Sequence, residues 1–93
     1  MSENIRVDLI VKGRVQGVYY RSFAEEMAHQ YNIRGYARNL PTGDVEIAAE
    51  GNRNNIESFI SELWKGPPMA IVRDIIKSED KYKEEFKGFS VRF

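Results

Sequence analysis

From Ile5 to Val11 apolar and polar side chains alternate. Ile5, Val7, Leu9 and Val11 share one face, and Arg6 and Asp8 the other. A period of two is that of a strand with one buried face. The run Gly13 to Gly17 breaks the alternation, and beyond it the period changes. Tyr20, Phe23, Ala24, Met27, Ala28 and Tyr31 recur every three or four residues and draw one helical stripe. Ser22 and Glu25 form an S-x-x-E pair near its start, the pattern of a capping box. Asn32 and Gly35 are stop signals. Residues 36–40 read as a second strand. Pro41-Thr42-Gly43-Asp44 carries turn chemistry. Val45, Ile47 and Ala49 then alternate with Glu46, Ala48 and Glu50, which predicts a third strand in a hairpin with the second. A second helix opens at 52–55, with Ile56, Phe59, Ile60 and Leu63 as its stripe and Gly66-Pro67-Pro68 as its end. Residues 71–77 read as a fourth strand and the charged stretch 78–87 as a surface loop. Phe89, Val91 and Phe93 alternate again, a short fifth strand.

The order β-α-β-β-α-β plus a terminal strand predicts an α+β fold. Its form is a two-layer α/β sandwich with a mainly antiparallel sheet and both helices on one face. Right-handed crossovers and the central hairpin make it a split βαβ arrangement, with strand three between the parallel strands one and two. With 93 residues there is room for one domain, read here as spanning 1–93. Fourteen basic residues balance 14 acidic ones, so the basic footprint of a nucleic-acid or anionic-membrane binder is missing. The absence of cysteine excludes disulfides, thiolate catalysis and Cys-based metal sites. No apolar run is long enough to span a bilayer. The N-terminus, Met-Ser-Glu-Asn, lacks the pattern of a secretory leader. A cytoplasmic location fits these features.

Candidate chemistry sits where the period switches. A glycine-bearing loop between a strand and a helix lets backbone N–H groups converge on an anion, because glycine tolerates conformations other residues avoid. The first turn of the helix adds unpaired N–H groups and the positive end of its dipole. Arg21, at the helix start, can grip two phosphate oxygens at once. On these grounds alone, phosphate binding and an ordinary βα turn with one surface arginine stand level. The loop is neither a Walker A sequence nor a dinucleotide fingerprint.

The stretch Gly13-Arg14-Val15-Gln16-Gly17-Val18-Tyr19-Tyr20-Arg21 resembles the acylphosphatase signature G-x-V-Q-G-V-x-[FY]-R. Gly35-Tyr36-Ala37-Arg38-Asn39-Leu40-Pro41-Thr42-Gly43-Asp44-Val45-Glu46 resembles the second signature of that family, G-[FYW]-[AV]-x-N-x-x-x-G-x-V-E. The ending Gly88-Phe89-Ser90-Val91-Arg92-Phe93 is similar to the family's usual close. The resemblance covers essentially the whole chain. It implies a ferredoxin-like sandwich and hydrolysis of the carboxyl-phosphate bond of acyl phosphates without metal or cofactor. It places the catalytic residues at Arg21 and Asn39. The phosphate-binding backbone falls on Gln16, Gly17, Val18, Tyr19, Tyr20 and Arg21. Tyr20 stands where phenylalanine is frequent, which adds a hydroxyl that needs a partner if buried. Thr42 stands where aspartate is frequent.

The side chains suit these roles. Asn39 cannot act as a base, but its amide can hold and aim a water. Neither signature site position offers a His, Asp or Glu, so a substrate phosphate oxygen is expected to take the water's proton. The topology brings the ends of strands one and two to one end of the sheet, so Arg21 and Asn39 can face one substrate. A fifth strand beside strand two would bring the Phe93 carboxylate toward Arg21. The alternative function is a non-catalytic phosphate or phospholigand-binding module, for which Asn39 would be superfluous. An RNA-binding module is disfavoured by zero net charge and the missing RNP run. The expected partners are a small acyl phosphate and inorganic phosphate, with a monomeric protein. Arg14 and Arg38 read as solvated surface charges, as do His29, Glu25 and Glu26, and Trp64 as a packing residue of the second helix.

Overall fold

The computed structural model describes residues 3–93; the reading of the N-terminus as leaderless falls in part on Met1 and Ser2, outside the described residues. Seven elements follow in the expected order: β1 (Asn4–Arg14), α1 (Tyr20–Gln30), β2 (Arg34–Asn39), β3 (Val45–Asn52), α2 (Arg53–Lys65), β4 (Ile71–Lys81) and β5 (Phe89–Arg92). The strands form one sheet in the order β4-β1-β3-β2-β5. Every neighbouring pair is antiparallel except β2 with β5. This is the ferredoxin-like sandwich with a terminal strand added at one edge.

Alternation sets which face is buried. Ile5, Val7, Leu9 and Val11 of β1 and Val45, Ile47 and Ala49 of β3 lie under the helices, almost wholly excluded from water. Tyr20, Ala24 and Ala28 of α1 and Ile56, Phe59 and Leu63 of α2 close over them. The helix ends follow local chemistry. Asn32 takes a left-handed conformation, φ +57°, just past α1. The Ile33 N–H then returns to the Ala28 carbonyl at 2.7 Å, a Schellman stop with asparagine at the left-handed position. The Asn52 side chain caps α2 by accepting from the Asn54 N–H at 3.0 Å.

Three expectations need correction. The capping box at Ser22 does not form. Helix α1 begins earlier, at Tyr20, behind a left-handed Tyr19 with no side-chain cap, and Ser22 lies inside its first turn. The charged stretch 78–87 is not all loop, since β4 runs on to Lys81, paired with Ile5 of β1. Most of β4 is exposed, so side-chain patterning is silent there and the backbone ladder to β1 decides its length. Trp64 is 45% exposed rather than packed.

Residues 82–88 do not hang free either. They must carry the chain from β4, at one edge of the sheet, to β5 at the other. Four strand spacings make ~19 Å, and the eight Cα steps from Lys81 to Phe89 reach ~26 Å when extended, so the crossing has little slack. It runs over the face opposite the helices. Phe86 packs edge-on to Tyr36 at 5.8 Å. Arg6 lies over the Phe86 ring at 5.2 Å, and Arg34 bonds the Tyr82 hydroxyl. The crossing buries Glu50 completely, and its carboxylate accepts the backbone N–H groups of Lys83 at 2.8 Å and Glu85 at 2.9 Å. Glu84 between them is left-handed, φ +53°. A carboxylate is needed here because both partners are donors, and an amide would turn its NH₂ toward one of them. Glu50→Gln is therefore expected to cost about 2 kcal/mol of stability in urea unfolding.

Candidate active site

The site is built where β1, α1 and the β2–β3 hairpin meet. Past β1, buried Val15 and Val18 anchor the loop to the core while Gly17 and Tyr19 between and beyond them stay exposed. Gly17 and Tyr19 are both left-handed, with φ +73° and +64°. A β-carbon on Gly17 would meet nothing within 4 Å, so glycine is required by backbone conformation and not by space. Left-handed residues spaced in this way make the concave backbone in which N–H groups converge. Among the described residues, the loop's hydrogen bonds include none donated by the backbone of Gln16, Gly17, Val18 or Tyr19. The next N–H groups belong to the first turn of α1, which has no side-chain cap.

The Gln16 side chain ties this loop to the hairpin. Its amide donates to the Leu40 carbonyl at 2.8 Å and the Asp44 carbonyl at 2.9 Å. Asp44 is held from the other side by Lys12 at 3.0 Å and by the Thr42 hydroxyl at 2.9 Å. These two contacts keep its carboxyl below the usual carboxylate range. Thr42, the departure from the signature, thus serves the turn. Asn39 ends β2 one residue before Leu40, so Gln16 sets the distance between the loop and Asn39. Gln16→Ala is expected to lower kcat about tenfold, a misplacement effect, and stability by about 1 kcal/mol. Steady-state kinetics with urea unfolding checks both.

A cleft of about 400 Å³ opens between these parts. Gly17, Tyr19, Tyr20, Arg21 and Ser22 line it from the loop and helix, Asn39 from β2, and Val91 and Phe93 from the last strand and its end. The sequence singled out Gly17, Tyr19, Tyr20, Arg21 and Asn39, and they do meet here. Gln16 and Val18 do not line the cleft with their side chains: one clamps the hairpin and the other is core. Ser22 and Val91 were not foreseen. Ser22 could have been found from its place in the first helical turn, whereas Val91 depends on β5 lying beside β2.

Each site residue has a defined environment. Arg21 donates to the Arg92 carbonyl at 2.6 Å, and its guanidinium stands over the Phe93 ring at 4.6 Å. The guanidinium thus meets the Arg92 carbonyl and the Phe93 ring face, and not the foreseen Phe93 carboxylate, among the described residues. Asn39 turns toward the helices, and its Oδ1 is buried without a hydrogen-bond partner among the described residues. Arg38, adjacent in an alternating strand, points to the other face and pairs with Glu46 at 2.9 Å. The Tyr20 hydroxyl finds its partner in the Leu63 carbonyl at 2.7 Å. Burial raises its pKa far above that of free tyrosine, so it stays a donor.

The whole arrangement coincides with one family. Residues 7–91 match the sequence model of acylphosphatases. The chain belongs to the acylphosphatase family. An acylphosphatase from Caldivirga maquilingensis is 42% identical over 94 residues, covering 100% of this chain and 99% of that protein. One from Thermus thermophilus is 46% identical over 88 residues, covering 92% and 97%. The crystal structure of acylphosphatase from Bacillus subtilis superposes with a TM-score of 0.93 at 36% identity, covering 96% of this chain and 99% of that one. The acylphosphatase signatures occupy the two walls of the cleft.

Proposed function

We propose that this chain hydrolyses acyl phosphates, with Arg21 and Asn39 as its catalytic residues. The observation that carries the reading is their convergence. A guanidinium, an uncapped helix start and the Asn39 side chain line one cleft. The backbone N–H groups of 16–21 and the Arg21 guanidinium hold the phosphoryl oxygens and offset their charge in a preorganised geometry. The Asn39 amide hydrogen-bonds the attacking water and aims it at phosphorus. The water oxygen forms a bond to phosphorus as the bond to the acyl oxygen breaks. The electron pair leaves with the carboxylate, and the water's proton passes to a phosphoryl oxygen. A dianionic acyl phosphate and water thus become a carboxylate and dihydrogen phosphate, with charge conserved.

A carboxylate is a good leaving group, so no protein acid is required. The fixed charge of Arg21 takes the part that a metal plays in other phosphoryl transfers. Release of inorganic phosphate from acetyl phosphate by the wild type, undiminished by EDTA, is the expected result. A wild type that binds phosphate but hydrolyses no acyl phosphate would favour a phospholigand-binding module instead. Action in the cytoplasm as a monomer, on a small molecule alone, belongs to the same proposal.

A further inference from the structure

Tyr19 and Ser22 line two concavities at once. One is the cleft described above. The other is an open trough of about 510 Å³ that lies against Phe23, Glu26 and the Pro67-Pro68 turn. Asn39, Val91 and Phe93 line only the first. The two spaces therefore adjoin across the Tyr19–Ser22 wall, while the wall that carries Asn39 belongs to the first alone.

In-line displacement gives this arrangement a meaning. Water enters phosphorus on the Asn39 side, so the acyl oxygen must leave on the opposite side. We propose that the trough is the acyl subsite and that it favours acyl phosphates with uncharged aryl or branched alkyl groups. This rests on the reading of Asn39 as the residue that aims water. The surface is mostly apolar and left open by folding: Tyr19 is 83% exposed, Pro68 is exposed, and Phe23 and Pro67 are half-buried. A flat apolar acyl group would remove both itself and these rings from water. Glu26 at the rim opposes acyl chains that carry a distal carboxylate.

The trough is a built feature. Tyr20 binds the Leu63 carbonyl and so ties the last turn of α2 to the start of α1. Gly66 leaves the helix in a left-handed conformation, φ +67°, seated on the Tyr20 ring, where a β-carbon would approach Cε1 to 3.4 Å. The Pro67 carbonyl accepts the Ala70 N–H at 3.0 Å and closes the turn. The far wall is thereby held at a set place relative to the phosphate loop. The hydroxyl responsible is the one by which this chain departs from the phenylalanine frequent in the signature.

The test compares benzoyl phosphate with acetyl phosphate, whose methyl group is too short to reach the trough. Wild type, Pro68→Glu and Tyr19→Ala are assayed for kcat/KM on both. The readout is the change in the benzoyl-to-acetyl ratio between variants, which cancels the intrinsic reactivities of the two anhydrides. Tyr19→Ala is expected to lower that ratio about tenfold, the worth of roughly one ring face taken from water. Pro68→Glu is expected to lower it about fivefold while acetyl phosphate turnover changes less than twofold. Equal losses on both substrates, or an unchanged ratio with acetyl phosphate still hydrolysed, would overturn the subsite and leave the catalytic reading intact. A wild type inactive on both substrates overturns the two together.

Discussion

Arg21→Gln lowers kcat/KM for acetyl phosphate by about a thousandfold and weakens competitive inhibition by inorganic phosphate at least tenfold. The magnitude is that of losing a preorganised cationic donor from a phosphoryl-transfer site. Glutamine keeps a donor but loses the charge and the fork that grips two oxygens. The fold should hardly notice. Arg21 is partly exposed, and its contacts are the Arg92 carbonyl and the Phe93 ring at the chain's last strand. A urea midpoint close to wild type, within about 1 kcal/mol, is expected beside the kinetic loss. A variant that keeps wild-type phosphate inhibition would place the phosphate elsewhere.

Asn39→Ala separates the second role from the first. It is expected to lower kcat by about a hundredfold or more, near 3 kcal/mol of barrier, while phosphate inhibition stays within about twofold. On the proposed mechanism the amide addresses water and not the phosphoryl group. Its Oδ1 is buried and unpartnered among the described residues, so truncation also removes a desolvated acceptor. Stability should therefore hold or rise slightly. The pair of variants forms a contrast: one loses affinity and rate, the other rate alone. An Asn39→Ala enzyme as fast as wild type would remove the water-aiming role, and the in-line argument for the acyl subsite with it.

How far the sequence could be read differs from place to place, for physical reasons. Strands with one buried face announce themselves, as β1 and β3 do, because alternation mirrors burial. The exposed edge strand β4 does not, because its length is decided by backbone pairing with β1. The start of α1 misled for a related reason. Ser22-x-x-Glu25 has the letters of a capping box, yet the helix begins at Tyr20 with no side-chain cap at all. A cap there would have occupied the N–H groups proposed to hold phosphate.

Glu50 shows the same limit in a different form. In an alternating strand it reads as solvent-facing, but the crossing segment covers it and turns it into a buried acceptor of two backbone N–H groups. Trp64 errs the other way, beside the helical stripe yet left exposed.

Local chemistry along the chain determined the element order, the buried faces, the left-handed loop at Gly17 and the two segments that carry Arg21 and Asn39. Each of these depends on residues close together in sequence: a period, a glycine or a signature. Tertiary structure alone decided that Gln16 clamps the loop to the hairpin 24 residues away, and that Arg21 meets Arg92 across 71 residues. It also decided that the cleft lined by Arg21 and Asn39 adjoins, across Tyr19 and Ser22, a second trough. Those relations arise when distant segments pack on one sheet, and no periodicity within a single segment records them.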